Sequence, residues 1–230
     1  MKVAVRALEV SGVAPEEWPA LAAMLDEDER ARAARFHFED DRRSYVAAHA
    51  LLRAELSKHA DRPPQDWRFA AAARGKPYLV DPPRDLRFSL THTRGMAAVA
   101  VTEGLEIGVD AESADRRADN MKVAERFFSP EEVALLRALD GDARREAFFA
   151  IWTLKEAVVK ATGQGLARAL DSFAVAFDPP RVTMRDGSAQ NWSAAHWRRG
   201  SFHFAVAAQC VDAKATFEER DAAALLRHAD

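Results

Sequence analysis

The sequence predicts an α+β fold built from two similar lobes. Each half of the 230-residue chain combines a helical portion with several short strand patterns, and no βαβ alternation connects them. Apolar residues make up 48% of the chain, so a sizeable core is expected and global disorder is not. We predict an N-terminal lobe over residues 1–105 and a C-terminal lobe over residues 106–230.

The overall composition excludes several classes of protein. A net charge of −3 argues against non-specific nucleic-acid binding as the main activity. The single cysteine, Cys210, cannot form an internal disulfide and is typical of a reducing compartment. The N-terminus lacks the apolar core of a signal peptide, and the longest apolar run, 96–101, is far too short to span a bilayer. We therefore expect a soluble, cytoplasmic protein that binds neither nucleic acid nor membranes.

The first half of the chain predicts strands, two helices and a tight turn. Val3 and Val5 alternate with polar residues, as in an opening strand. The elements that follow are a helical region over 26–58 interrupted near 36–38, a strand at 67–69, a turn at 74–77 and strands at 86–90 and 96–101. The arginines of the helical region have two interpretations, a solvated helix face or a phosphate-binding group.

A histidine interrupts the pair of predicted strands at 86–101. Thr91 and Thr93 flank His92 at the break, so two hydroxyl groups and an imidazole lie close together. Such a group is well placed to meet an anion, and it is equally typical of a hydrogen-bonded structural histidine.

Two acidic residues mark the start of the second half. If residues 106–112 are extended, Asp110 and Glu112 point to the same side, because side chains repeat every two residues in a strand. Two carboxylates held together repel one another unless a cation lies between them. A hard, oxygen-binding cation such as Mg²⁺ fits. The alternative is an exposed strand end, where acidic residues are common.

The second half predicts three helices followed by strands. Ser129, Pro130 and Glu132 form a good helix start, in which Glu132 serves as the capping residue. The predicted elements are helices beginning at 121 and 130, a long helix over 143–161, strands at 173–177, 191–197 and 202–211, and a final short helix or tail.

The long helix carries three functional side chains on one face. Trp152, Glu156 and Lys160 lie four residues apart, so they stack along the helix, and Gly163 suits the positive φ angle that ends it. Taken alone, Glu156 and Lys160 are most simply a surface ion pair beside a packed tryptophan. Their combination with Asp110 and Glu112 in the same chain favours a functional site over a surface ion pair.

Together these motifs resemble the surfactin-type 4′-phosphopantetheinyl transferases, over roughly residues 30 to 210. The matching residues are Gly75-Lys76-Pro77, Phe88-Ser-Leu-Thr91-His92-Thr93, Gly108-Val109-Asp110-Ala111-Glu112, Arg126-Phe127-Phe128-Ser129 with Glu132, Trp152-Thr-Leu-Lys155-Glu156-Ala, and Lys160 through Gly163-Gln-Gly165-Leu. Ala111 stands where the family usually has Ile or Val, and Thr91 where it often has Ser. Neither departure removes a functional group.

The resemblance implies a fold, a reaction and its partners. It implies a pseudo-twofold arrangement of two α+β lobes, each with a small, mainly antiparallel sheet and a long helix, and with coenzyme A between the lobes. Such enzymes transfer the 4′-phosphopantetheine arm of coenzyme A to a serine of an apo acyl or peptidyl carrier protein and release adenosine 3′,5′-bisphosphate. A monomer is expected, because one chain supplies both lobes. Carriers of fatty-acid synthesis and of secondary metabolism both remain open.

The resemblance also implies roles for individual residues. Asp110, Glu112 and Glu156 would hold Mg²⁺, and Lys160 would meet the phosphate that is attacked. Glu156, or Glu132 through a bound water, would take the proton of the serine. Lys155 is a secondary candidate for the contact with the attacked phosphate. The residues expected to hold the nucleotide phosphates of coenzyme A are Lys76, Thr91, His92, Arg43, Ser44, Arg32 and Arg35.

A different class of protein shares these features. A non-catalytic coenzyme A-binding or carrier-binding protein on the same fold would need the cleft but not the acidic residues, so the intact set of Asp110, Glu112, Glu156 and Lys160 disfavours it. The sequence also lacks the glycine-rich Lys-Ser/Thr loop of a P-loop nucleotidase.

Overall fold

The computed structural model describes residues 2–115, 120–188, 191–210 and 212–227. Seven helices are found in these ranges: α1 Trp18–Ala23, α2 Glu27–Ala33, α3 Glu39–Ser57, α4 Asn120–Phe127, α5 Pro130–Arg137, α6 Gly141–Thr162 and α7 Ala222–Leu226. The strands of the same ranges are β1 Lys2–Glu9, β2 Phe69–Ala71, β3 Pro77–Leu79, β4 Leu86–Thr93, β5 Met96–Glu103, β6 Ile107–Ser113, β7 Phe173–Phe177, β8 Pro180–Met184, β9 Ser193–Arg199, β10 Phe202–Ala208 and β11 Lys214–Arg220.

Two sheets form the centre of the molecule. The first has the strand order β11-β1-β5-β4 and the second the order β6-β10-β9. All pairs in them are antiparallel except β1 with β11, which is parallel. Strands β2 with β3 and β7 with β8 form two further hairpins. The predicted α+β class with small, mainly antiparallel sheets is confirmed.

Each central sheet carries one long helix on its outer face. Helix α3 packs against β4 and β5, and α6 packs against β6 and β10. Alternate residues of four strands point the other way and form a core between the two sheets. The buried members of that core are Val3, Val5, Ala7, Met96, Ala98, Ala100, Ile107, Val109, Ala111, Phe204 and Val206. The layers are therefore helix, sheet, sheet and helix, which is the paired arrangement that the resemblance implied.

The last strand crosses from one lobe to the other. β11 pairs in parallel with β1, so residues 214–220 belong to the sheet of the N-terminal lobe. The sequence does not predict this strand, because its charged residues are typical of a solvated tail. The division of the chain into two lobes at residue 105 stays a prediction. Residues 214–220 do not follow it, because they pair with β1.

The ends of the long helix agree with the sequence. Gly163 adopts a φ of 64° directly after α6, which a residue with a side chain rarely tolerates.

None of the helices in the described ranges is long and apolar enough to cross a bilayer.

Candidate active site

Strand β6 and helix α6 approach each other more closely than side chains would permit. A Cβ atom added to Gly108 would lie 1.9 Å from the carbonyl oxygen of Ala157 and 2.4 Å from the backbone nitrogen of Ala161. Only glycine fits this contact. Asp110 is the next residue on the same face of β6, and Lys160 lies on the adjoining turn of α6, so the contact sets the distance between them.

Asp110 is the centre of the site. Its carboxylate is 4% exposed, and Oδ1 accepts hydrogen bonds from Lys160 Nζ at 2.6 Å and from Thr91 Oγ1 at 3.1 Å. Its Oδ2 is buried and, among the described residues, has no hydrogen-bond partner. Three residues singled out in the sequence, Thr91, Asp110 and Lys160, thus meet at one point from β4, β6 and α6.

Glu156 lies one turn before Lys160. Its pKa is raised, mainly because burial disfavours the charged form and also because Asp110 is negative, while the Lys160 ammonium partly opposes the shift. Two carboxylates that repel one another, and a buried oxygen without a partner, match the donor chemistry of a divalent cation. The residues Asp110 and Glu156 therefore fit Mg²⁺.

The complete three-carboxylate set is not assembled in the structure. Glu112 follows Asp110 on the same face of β6. Across the described ranges, no group of three or more His, Cys, Asp or Glu side chains is arranged to hold a metal ion. The role of Glu112 as a third metal ligand stays a prediction.

Two cavities meet beside this centre. The first has a volume of about 590 Å³ and the second about 720 Å³. The residues that line both are Gly75, Pro77, Phe88, Leu90 and Lys160. Of these five residues, Lys160 alone comes from the C-terminal half. The Lys160 ammonium therefore lies where the two cavities meet and where the two lobes meet.

The first cavity contains cations that sequence reasoning missed. Glu156 and Lys76 line it, and so do Arg74, Arg126 and Arg168 from three separate elements. Burial lowers the pKa of Arg168, and in the part of the chain that the structure describes its buried Nε has no hydrogen-bond partner. Each arginine lies within or beside a motif noted in the sequence, and that proximity is the signal that could have identified it.

Lys76 links the lobes at the mouth of the first cavity. Its Nζ donates to Glu106 Oε2 at 2.6 Å and to the carbonyl oxygen of Ala161 at 3.0 Å. The second bond reaches the C-terminal turn of α6, where the helix presents unpaired carbonyl groups. Lys76 therefore tethers the turn at 74–77 to the helix that carries Glu156 and Lys160.

The second cavity is lined by four of the seven predicted nucleotide-phosphate residues. Arg32, Arg35, Thr91 and His92 all line it. Burial, together with the nearby charges of His49, Lys160 and Arg32, lowers the pKa of His92 to about 4, although part of its ring is exposed. His92 is consequently neutral near pH 7 and can accept or donate one hydrogen bond at each nitrogen.

Comparison with known proteins agrees with this geometry. Residues 106–211 match the family model described as 4′-phosphopantetheinyl transferase superfamily, and residues 13–104 match the one described as 4′-phosphopantetheinyl transferase, N-terminal. The 4′-phosphopantetheinyl transferase HetI of Nostoc sp. is 40% identical over 161 residues, which cover 69% of this chain and 68% of HetI. The chain belongs to the 4′-phosphopantetheinyl transferase superfamily.

Other relatives of the transferase are more distant. The 4′-phosphopantetheinyl transferase Sfp of Bacillus subtilis is 30% identical over 160 residues, which cover 70% of each chain. A holo-(acyl-carrier-protein) synthase from Bacillus anthracis, solved in complex with CoA, has a TM-score of 0.41 and 21% identity, and the match covers 47% of this chain and 98% of that one. The family predicted from the sequence motifs is confirmed.

The structure places Lys155 and Glu132 in the interior of the transferase. Lys155 is fully buried, and its Nζ lies 2.9 Å from Glu132 Oε2 and donates to the carbonyl oxygens of Leu170 and Phe173. Burial lowers the pKa of Lys155, and the Glu132 carboxylate opposes that shift. Lys155 therefore holds α6 against the chain segments at Leu170 and Phe173, and it lines neither of the two cavities.

Glu132 is equally committed to the interior of the transferase. It is 3% exposed, and its oxygens accept hydrogen bonds from the backbone nitrogens of Ser129 at 2.8 Å and Val175 at 2.7 Å, in addition to the ion pair with Lys155. It lines neither cavity. These contacts agree with the capping interpretation of Glu132, and its role as a base stays a prediction.

Arg43 and Ser44 also lie away from the two cavities. Arg43 pairs with Glu39 at 2.8 Å and stacks over Trp18, while Ser44 is buried and accepts a hydrogen bond from the backbone nitrogen of Gly95. The cavity-facing residues of α3 are instead Tyr45, His49 and Leu52. Neighbouring helix residues point about 100° apart, so a shift of one or two positions changes the face.

Proposed function

We propose that this transferase moves the 4′-phosphopantetheine arm of coenzyme A to a serine of an apo acyl or peptidyl carrier protein and releases adenosine 3′,5′-bisphosphate. The observation that carries the proposal is the junction of two cavities at Lys160, whose ammonium is held by Asp110. Coenzyme A has a nucleotide at one end, a pantetheine arm at the other and a pyrophosphate between them. Two cavities joined at a cationic centre match that order.

Lys160 would contact the pyrophosphate at the junction. Phosphoryl transfer depends mostly on positioning and on stabilising the negative charge that accumulates on the phosphate oxygens. The Lys160 ammonium is already oriented by Asp110 Oδ1 at 2.6 Å, so it needs little rearrangement to act. Arg32 and Arg35 would contact phosphates at the nucleotide end of the ligand, in the second cavity.

Asp110 and Glu156, with Glu112 as a third ligand, would hold Mg²⁺ at this centre. When bound, the ion would neutralise pyrophosphate charge and orient the phosphate for attack. Thr91 supports the arrangement through its hydrogen bond to Asp110 Oδ1. The unpartnered Oδ2 of Asp110 is the oxygen we assign to the ion.

The proton of the attacking serine needs an acceptor in the first cavity. We assign that role to Glu156, since Glu132 is buried elsewhere. Burial and the charge of Asp110 raise the pKa of Glu156, which makes its carboxylate a stronger base than an ordinary one.

The site also suggests how the protein works in the cell. One chain lines both cavities, so we propose that it acts as a monomer. A lone cysteine suits the cytoplasm, where carrier proteins of fatty-acid synthesis or secondary metabolism would be its partners.

A transfer assay tests the proposal directly. The protein is incubated with coenzyme A, Mg²⁺ and several apo carrier proteins, and the carriers are analysed by mass spectrometry for added phosphopantetheine. The wild type should modify at least one carrier. Lys160→Met should lose most of the activity, whereas the control Lys58→Met, which removes an ammonium from an ion pair at the end of α3, should keep it. Binding of coenzyme A without any adduct would instead identify a non-catalytic binding protein.

A further inference from the structure

A buried carboxylate and a histidine form a pair at the second cavity. His49 Nδ1 lies 2.7 Å from Glu29 Oε1, and both residues line the cavity. An ionised carboxylate can only accept a hydrogen bond, so Nδ1 carries the hydrogen. The other ring nitrogen, Nε2, has no hydrogen-bond partner within the described part of the chain. The ring is therefore held at one nitrogen and available at the other.

The fold fixes the position of Glu29. Its Oε2 accepts hydrogen bonds from Arg53 Nε at 2.7 Å and from the backbone nitrogen of Asp26 at 3.1 Å. Arg53 is fully buried and also donates to the carbonyl oxygens of Pro64 and Trp67. Burial alone would raise the pKa of Glu29, but the hydrogen bonds and charges of His49 and Arg53 outweigh it and lower the pKa. The Glu29 carboxylate is therefore ionised, and it accepts a hydrogen bond from Nδ1 of His49.

Tyr45 holds the His49 ring from its face. The two ring centroids are 4.1 Å apart, and the Tyr45 ring also meets His92 edge-on at 6.0 Å. Arg32 lies over the same tyrosine, 5.7 Å from its centroid. His49, His92 and Arg32 therefore surround one aromatic ring and border one cavity. The other charged groups that line this cavity are Arg35, Lys160, Asp26, Asp28 and Glu29.

We propose that His49, positioned by Glu29, is a further phosphate-binding residue that recognises the 3′-phosphomonoester of coenzyme A. The inference rests on the proposed function, which places the nucleotide in the second cavity. A carboxylate that accepts from one nitrogen of a histidine orients the ring. A ring bound between two anionic acceptors, the Glu29 carboxylate at Nδ1 and the phosphate at Nε2, donates a hydrogen bond to each. His49 thereby distinguishes coenzyme A from its analogue without the 3′-phosphate.

The variant His49→Asn isolates this contact. The asparagine amide nitrogen takes the approximate place of Nδ1, so it retains the hydrogen bond to Glu29 while the Nε2 side of the ring is removed. A hydrogen bond to a charged group is worth about 1.5–3 kcal/mol, so coenzyme A should bind roughly 10-fold to 100-fold more weakly. Binding of 3′-dephospho-coenzyme A, measured by the same calorimetric titration, should change less than about threefold. His37→Asn is the matched control, because His37 is exposed and lines neither cavity.

The outcomes separate this inference from the proposed function. Equal weakening of both ligands would show that His49 only supports the fold, and unchanged binding of coenzyme A would show that it makes no contact. Either result overturns the inference about His49 and leaves the proposed transferase function unaffected. A wild-type protein that binds neither coenzyme A nor adenosine 3′,5′-bisphosphate overturns the proposed function together with the inference.

Discussion

The contact between Gly108 and α6 makes a sharp prediction about Gly108→Ala. The new methyl carbon would lie 1.9 Å from the carbonyl oxygen of Ala157, whereas ordinary van der Waals contact begins at 3.4 Å. The atoms it meets are backbone atoms of a buried helix, which cannot rotate away. Relief of the clash therefore requires β6 and α6 to separate by about 1.5 Å.

That separation has a cost in both stability and activity. Overpacking a tight core contact typically destabilises a protein by about 1–3 kcal/mol. For a chain of this size each kcal/mol lowers Tm by roughly 2–4 °C, so Gly108→Ala should melt about 2–12 °C below the wild type. Lys160 would move away from Asp110, from which it is now 2.6 Å distant. A displacement of about 1 Å at a reacting centre can lower the rate roughly 100-fold.

Thermal denaturation and the carrier-modification assay measure the two effects. Gly12→Ala is the control, because a Cβ atom at Gly12 would meet nothing within 4 Å. It should change the free energy of unfolding by less than about 0.5 kcal/mol and keep full activity. A Gly108→Ala protein with the Tm and turnover of the wild type would refute the argument that this contact sets the geometry of the site.

Three further predictions concern charged groups. Lys155→Met leaves the buried Glu132 carboxylate uncompensated and should lower the free energy of unfolding, measured by urea titration, by about 3–5 kcal/mol. The protein that stays folded should keep its affinity for coenzyme A. A selective loss of that affinity would show instead that Lys155 contacts the ligand. Asp110→Asn removes a negative charge that raises the pKa of Glu156. The pKa of Glu156, measured by carboxyl NMR, should therefore fall, and turnover should drop. An unchanged pKa would show that the two groups do not interact. Burial lowers the pKa of His203 from 6.5 to about 4, so its contribution to stability is complete above pH 6.5 and is lost as pH falls through 4. Melting profiles from pH 7 to pH 4 should show a smaller decline of Tm for His203→Phe than for the wild type, and parallel profiles would contradict the assignment.

Local sequence patterns predicted the elements that depend on neighbouring residues. Alternation of apolar residues identified β1 and β4, the apolar run at 96–101 identified β5, and Gly163 marked the end of α6. The period of two residues in a strand placed Asp110 and Glu112 on one face of β6. The four-residue spacing placed Glu156 and Lys160 on one face of α6. These expectations needed only the periods of a strand and a helix, which each segment contains by itself.

Non-local pairing explains the elements and roles that were missed. β11 is an edge strand with charged residues, and its partner β1 lies at the other end of the chain, so nothing within residues 214–220 announces the pairing. Lys155 and Glu132 are both charged, and sequence alone favours their exposure. Their burial follows from an ion pair between α5 and α6 that only the packed core can form.

The sequence by itself determined the family, the α+β class and the order of the motifs, because these are properties of residue types at fixed spacings. The tertiary structure decided which motif residues share a site. It brought Thr91, Asp110 and Lys160 within hydrogen-bond distance, removed Lys155 to the interior and joined His49 to Glu29. The physical reason is that each of these contacts depends on two segments packing face to face, and the closest such contact is the one that Gly108 permits between β6 and α6.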